Sequence, residues 1–180
     1  MLMRSDRSCL LIVDVQERLA PVMTDPRRVI HGCGLLMQVA QRLGMPVVVS
    51  EQYPKGIGPT IVDLREWMPP EGAFAKMHFS CADDPAIMEH LNRIGRPQLV
   101  LAGIEAHVCV LQSALGLKEK GFEVFVVGEA CASRRATSEE MAWARLRNAG
   151  IHLVSLEMAV FEWLRVAGTA EFKELIALVK

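Results

Sequence analysis

The chain has 180 residues, 51% of them hydrophobic and only 6% aromatic, which suits one domain (1–180) with a sizeable aliphatic core. A net charge of -1 and a pI ≈ 6.5 argue against nucleic acid or an anionic membrane as partner, and no apolar segment approaches the ~20 residues that span a bilayer. Five scattered cysteines (Cys9, Cys33, Cys81, Cys109 and Cys131) have no CxxC pair, which argues against a disulfide framework or a metal finger and favours reduced thiols in a cytoplasmic chain.

Taken in order, Cys9–Val13 is an apolar run that Asp14 interrupts, and Arg4 and Arg7 ahead of it lack the cleavage site of a signal peptide. Residues 27–43 carry apolar side chains at helical spacing and close on Gly44, with Pro46 beyond. Residues 46–50 predict a second strand, EQYPKGIGPT a loop, and 61–68 a short helix broken by Pro69 and Pro70. A third strand over 73–78 carries Lys76. Asp84 and Pro85 open a helix that Gly95 ends.

The stretch QLVLAGIEAHVCVLQSALGLKEKG follows, a strand over Leu99–Ala102 that turns at Gly103 into a helix bearing Cys109 in its first turn. A fifth strand is expected over 122–127, and a polar loop over ACASRRATSEE. Thr137 and Glu140 have capping-box spacing at the start of the next helix. A sixth strand over 151–156 and two short helices, the second capped by Thr169, complete the chain. The alternation predicts an α/β fold, a three-layer α/β/α sandwich around a six-stranded, mostly parallel, doubly wound sheet.

Polar residues interrupt apolar runs near the strand ends at Asp14, Gln52, Lys76 and Cys109, and a doubly wound sheet brings all four to one edge. The first turn of a helix favours a thiolate, Lys76 favours it further, and Asp14 is placed to take the thiol proton and return it to a leaving amine. The plainer reading is an Asp14–Lys76 ion pair beside an inert, buried cysteine.

VDVQ at 13–16, FAKMHFS at 74–80 and GIEAHVC at 103–109, in that order, resemble the isochorismatase-like cysteine hydrolases, and the similarity extends to EQYPKGIGPT and EACASR. The resemblance implies a triad of Asp14 as base, Lys76 as charge stabiliser and Cys109 as nucleophile. It also implies a cis peptide between Ile104 and Glu105, and an oxyanion hole formed by the backbone N–H groups of Glu105 and Cys109. The implied reaction opens a small amide or related carbonyl through a thioester, in a homo-oligomer without cofactor. Nicotinamidases of the family bind a metal through an aspartate and two histidines after the second strand; Glu51, Gln52 and Tyr53 stand there, so no metal is expected. Isochorismatases typically have glycine at the position of Cys109, so vinyl-ether cleavage is not implied.

Gln52 as a donor to substrate, Phe79 as a wall and His107 beside the pocket are further candidates, each equally able simply to pack. Arg134 and Arg135 can bind an anionic group or form a solvated loop or subunit contact. A redox-responsive or ligand-binding thiol protein, or a structural oligomer with little turnover, is the competing function.

Overall fold

The computed structural model describes residues 1–179. Six strands, β1 (Ser8–Val13), β2 (Val47–Gln52), β3 (Ala73–Lys76), β4 (Gln98–Ile104), β5 (Glu123–Ala132) and β6 (His152–Val154), form one sheet in the order β3-β2-β1-β4-β5-β6. Every neighbouring pair is parallel, so the expected mostly parallel sheet is wholly so.

The helices are α1 (Pro26–Arg42), α2 (Pro54–Ile57), α3 (Val62–Arg65), α4 (Pro85–Ile94), α5 (Leu111–Glu119), α6 (Ala136–Asn148), α7 (Leu156–Leu164) and α8 (Ala170–Val179). Local chemistry sets several of their starts. Asp25 accepts from the Arg28 N–H ahead of α1, Asp84 from the N–H groups of Ala86 and Ile87 in α4, and Thr169 Oγ1 from the Phe172 N–H in α8. The Thr137–Glu140 capping box does not form: α6 begins at Ala136, with Arg135 at the cap position, and Thr137 lies inside the helix. Glu139 enters the interior instead, where it accepts from the Ser133 N–H and Thr24 Oγ1 and pairs with Arg28.

All six residues of β1 are buried, as expected of a strand flanked by β2 and β4 and covered on both faces. Its alternate side chains feed two cores. Leu10 and Ile12 join Val100, Ala102 and the α1 residues Cys33, Leu36 and Met37, whereas Cys9, Leu11 and Val13 join Leu99, Leu101, Ile87, Leu91, Ala114 and Leu117. The strand order reverses between β1 and β4, so a crevice opens beyond their carboxyl ends.

Two strands run further than periodicity suggested. β2 extends through Glu51 and Gln52, placing Gln52 opposite Lys76 of β3. β5 takes in residues expected to be loop: after a register shift between Leu101 and Gly103, Cys131 and Ala132 pair with Gly103 and Ile104. Gly103 has φ +126, and a Cβ there would lie 2.1 Å from the Val13 carbonyl oxygen, so only glycine lets β4 end against β1.

Candidate active site

Asp14 follows the last residue of β1, has φ 54 and is fully buried. Its two oxygens are separately engaged: Oδ1 accepts from Ser50 Oγ at 2.7 Å, and Oδ2 from Lys76 Nζ at 2.8 Å. The Lys76 ammonium also donates to Gln52 Oε1 at 2.6 Å and lies 3.2 Å from the carbonyl oxygens of His78 and Phe79. Both charged side chains have no exposure. Burial acts to lower the Lys76 pKa, but the adjacent Asp14 carboxylate and the nearby Cys81 and Cys109 sulfurs outweigh it, and the net direction is upward. The lysine is therefore a fixed cation, held at the end of β3 by carboxylate, amide and backbone acceptors.

Cys109 lies on the other side of the switch point. The Ile104–Glu105 peptide at the end of β4 is cis, and the chain then enters a π turn over Ala106–Val110 that leads into α5. In that turn the Val110 N–H donates to the Glu105 carbonyl, which closes a wider ring than an α turn. Cys109 is 5% exposed.

Burial first, and then the Asp14 carboxylate by its charge and as a hydrogen-bond acceptor, push the thiol pKa upward, while Lys76 pulls the other way. This corrects the expectation that the helix start and the lysine stabilise a resting thiolate. The ammonium is already engaged by Asp14, so the balance of burial and charge favours the protonated thiol.

The structure thus brings Asp14, Lys76, Cys109 and Gln52 to one edge, but gives the remaining candidates different surroundings. Gln52 has its side-chain amide engaged, Oε1 by Lys76 and Nε2 by the Met77 carbonyl, so it positions the lysine where a free donor to substrate was expected. Phe79 uses its carbonyl toward Lys76, and the residue is 55% exposed. His107 turns toward β5, with Nδ1 2.8 Å from Ser133 Oγ. The Glu105 carboxylate accepts from both the backbone N–H and the Nε of Arg134.

Three residues of this edge escaped the sequence reading. Ser50 orients Asp14. Gln16 clamps the end of β2, its Oε1 accepting from the Gln52 N–H at 2.7 Å and its Nε2 donating to the carbonyls of Gln52 and Gly58. Cys81 is fully buried with Sγ 3.6 Å from Ser50 Oγ, and burial, reinforced by Asp14, raises its pKa to about 11. VDVQ and VVVSEQ contain two of them, but only the Val13–Ser50 register shows that Ser50 reaches the aspartate. No group of three or more His, Cys, Asp or Glu side chains among the described residues is arranged to hold a metal, and the Glu51 carboxylate is occupied by the Thr60 N–H and hydroxyl.

A doubly wound parallel sheet with an acid, an ammonium and a thiol at its switch point defines an α/β protein of hydrolase-like fold. Residues 8–158 match the family model described as Isochorismatase domain. The chain is 38% identical over 178 residues to the "Secreted isochorismatase effector Isc1" of Phytophthora sojae, covering 96% of this chain and 84% of that one. It is 36% identical to "Isochorismatase domain-containing protein 2" of Bos taurus, over 96% and 83% of the two chains. Among solved structures, the MAR1 ribonuclease from Caenorhabditis elegans superposes with a TM-score of 0.93 at 32% identity, over 99% of this chain and 92% of that one. The chain belongs to the isochorismatase family.

Proposed function

We propose that this chain is a metal-independent cysteine hydrolase that opens a small amide or related carbonyl compound with a triad of Cys109, Asp14 and Lys76. The observation that carries the reading is the fully buried Asp14–Lys76 pair, at 2.8 Å, beside a buried thiol at the switch point. A buried ion pair is a poor stabilising device compared with apolar side chains of the same volume. This one also engages Ser50, Gln52 and two carbonyls, an investment that fits a carboxylate kept ready to accept a proton.

In this reading the thiol loses its proton to Asp14 as Sγ attacks the carbonyl carbon, so no resting thiolate is required. The negative oxygen of the tetrahedral intermediate is received by the backbone N–H groups of Glu105 and Cys109. On collapse the C–N bond breaks, Asp14 returns the proton to nitrogen, and ammonia or an amine leaves a thioester. Water then attacks the thioester carbonyl, giving a proton to Asp14. The C–S bond breaks, the sulfur takes that proton back, and a carboxylic acid departs. Lys76 holds the carboxylate in place throughout.

The test is ammonia release from a panel of small amides. Cys109→Ala should abolish turnover, and Asp14→Asn should lower it by about 10²–10⁴-fold. Undiminished release in Cys109→Ala refutes the triad. Absence of turnover across the panel, together with a peroxide-induced Cys109 disulfide to Cys81 or Cys131, replaces it with a redox-responsive thiol. The ribonuclease activity named for the nematode relative is not adopted, because a net charge of -1 gives no electrostatic footprint for a polynucleotide.

A further inference from the structure

On the β5 side of the cysteine-bearing turn lies a cavity of about 380 Å³, lined by His107, Arg134, Arg135 and Ser138. It is separate from the triad. Its lining includes none of Asp14, Lys76 and Cys109, and the His107 ring, two residues before Cys109 on the same turn, reaches Ser133 just after β5.

The lining is rich in hydrogen-bond donors and carries surplus positive charge. Two nearby carboxylates are already engaged: Glu105 accepts from the backbone N–H and Nε of Arg134, and Glu139 from Thr24, the Ser133 N–H and Arg28. The Arg135 side chain has neither a hydrogen bond nor an ion pair among the described residues, so its charge is uncompensated. The one Arg134 side-chain bond uses Nε and leaves the outer edge of its guanidinium open. Ser138 sits in the first turn of α6, a 13-residue helix with no side-chain cap, whose dipole adds positive potential.

Two of these donors, His107 and Arg134, are also held in place. Ser133 fixes the His107 ring, Glu139 fixes the Ser133 backbone, and Glu105 fixes Arg134. Two guanidinium groups, an imidazole, a hydroxyl and a helix start around one cavity suit a planar or tetrahedral oxyanion. We propose that this cavity is an oxyanion-binding site that takes a carboxylate or phosphate group of a small molecule. The site stands on its own charge and geometry and does not require turnover at Cys109.

The test follows the Ser138 amide and His107 ring resonances of the full chain during titration with inorganic phosphate at constant pH and ionic strength. Saturable shifts are expected. Arg135→Gln, an exposed change that leaves the fold intact, should weaken binding by about tenfold or more through loss of a charge-assisted bond. Arg93→Gln, on the exposed face of α4, should leave it unchanged and so controls for bulk electrostatics. Shifts that never saturate, or saturate equally in Arg135→Gln, overturn the proposal. Given saturable, Arg135-dependent binding, the effect on Cys109 alkylation identifies the source of the anion. If phosphate competes with alkylation, the site holds an acidic group of the substrate itself; if alkylation is unaffected, it holds a separate anionic effector.

Discussion

Replacing Lys76 by Met removes the ammonium but keeps an unbranched chain of similar length, leaving the Asp14 carboxylate buried with Ser50 as its remaining side-chain hydrogen-bond partner. Because both side chains have zero exposure, no solvent screening softens the loss, and breaking a buried pair from one side costs about 3–5 kcal/mol. The Gln52 side-chain oxygen and the carbonyls of His78 and Phe79 lose the same donor, which favours the upper half of that range. With a urea slope of about 2 kcal/mol per molar, the unfolding midpoint should fall by about 2–2.5 M. Adding Asp14→Asn removes the stranded charge, so the double variant should be less destabilised than the sum of the two single variants, by about 2 kcal/mol. Urea titrations of wild type, both single variants and the double variant, at neutral pH, close the cycle. A Lys76→Met midpoint within about 0.3 M of wild type, or strict additivity, would show that the pair is not a buried, coupled unit and would undercut its assignment as the centre of the site.

Alkylation of Cys109 by iodoacetamide should show a pH midpoint well above the ~8.5 of a free thiol. Asp14→Asn should lower it and Lys76→Met should raise it, and a wild-type midpoint below 8 would contradict the buried, protonated thiol. Stability should fall on the alkaline side. Burial raises Cys9 and Cys131 to about 12 and Cys81 to about 11, so between the unfolded value of ~8.5 and these values the folded state holds more protons. Each such thiol contributes fully below that window and loses about 1.4 kcal/mol per pH unit through it, so a urea midpoint unchanged between pH 8 and pH 10 would be inconsistent with this account. Gly103→Ala should destabilise by more than about 2 kcal/mol, measured by thermal or urea unfolding, because the new methyl would meet the Val13 carbonyl in a backbone conformation alanine resists. Near-wild-type unfolding of that variant would mean that β1 and β4 do not meet as described.

Much of the site was legible because each of its ionisable members interrupts an apolar run at a strand end or follows one at a sharp turn. Asp14 after Cys9–Val13, Lys76 in the third strand and Cys109 beyond Gly103 could be located from residue type and spacing alone. Their supports could not. Ser50 and Gln16 look like ordinary polar residues until the β1–β2 pairing sets Ser50 against Asp14 and Gln16 against Gln52. The α6 start differs from the capping-box spacing at Thr137 and Glu140, and Glu139 is drawn into a network with Thr24 and Arg28, more than a hundred residues away in sequence.

The sequence by itself determined the class of fold and the chemistry on offer. Strand and helix periodicity, turn residues and caps are local, and they require a parallel sheet covered by helices with an acid, a base and a thiol near its carboxyl edge. Tertiary structure decided the protonation balance and the division of labour. Whether a thiol rests as thiolate depends on what lies around it in space, and here burial and a carboxylate outweigh an ammonium that is already engaged. By the same logic, only packing shows that Gln52 serves Lys76, that Glu105 serves Arg134, and that Arg135, unpaired among the described residues, lines a second cavity.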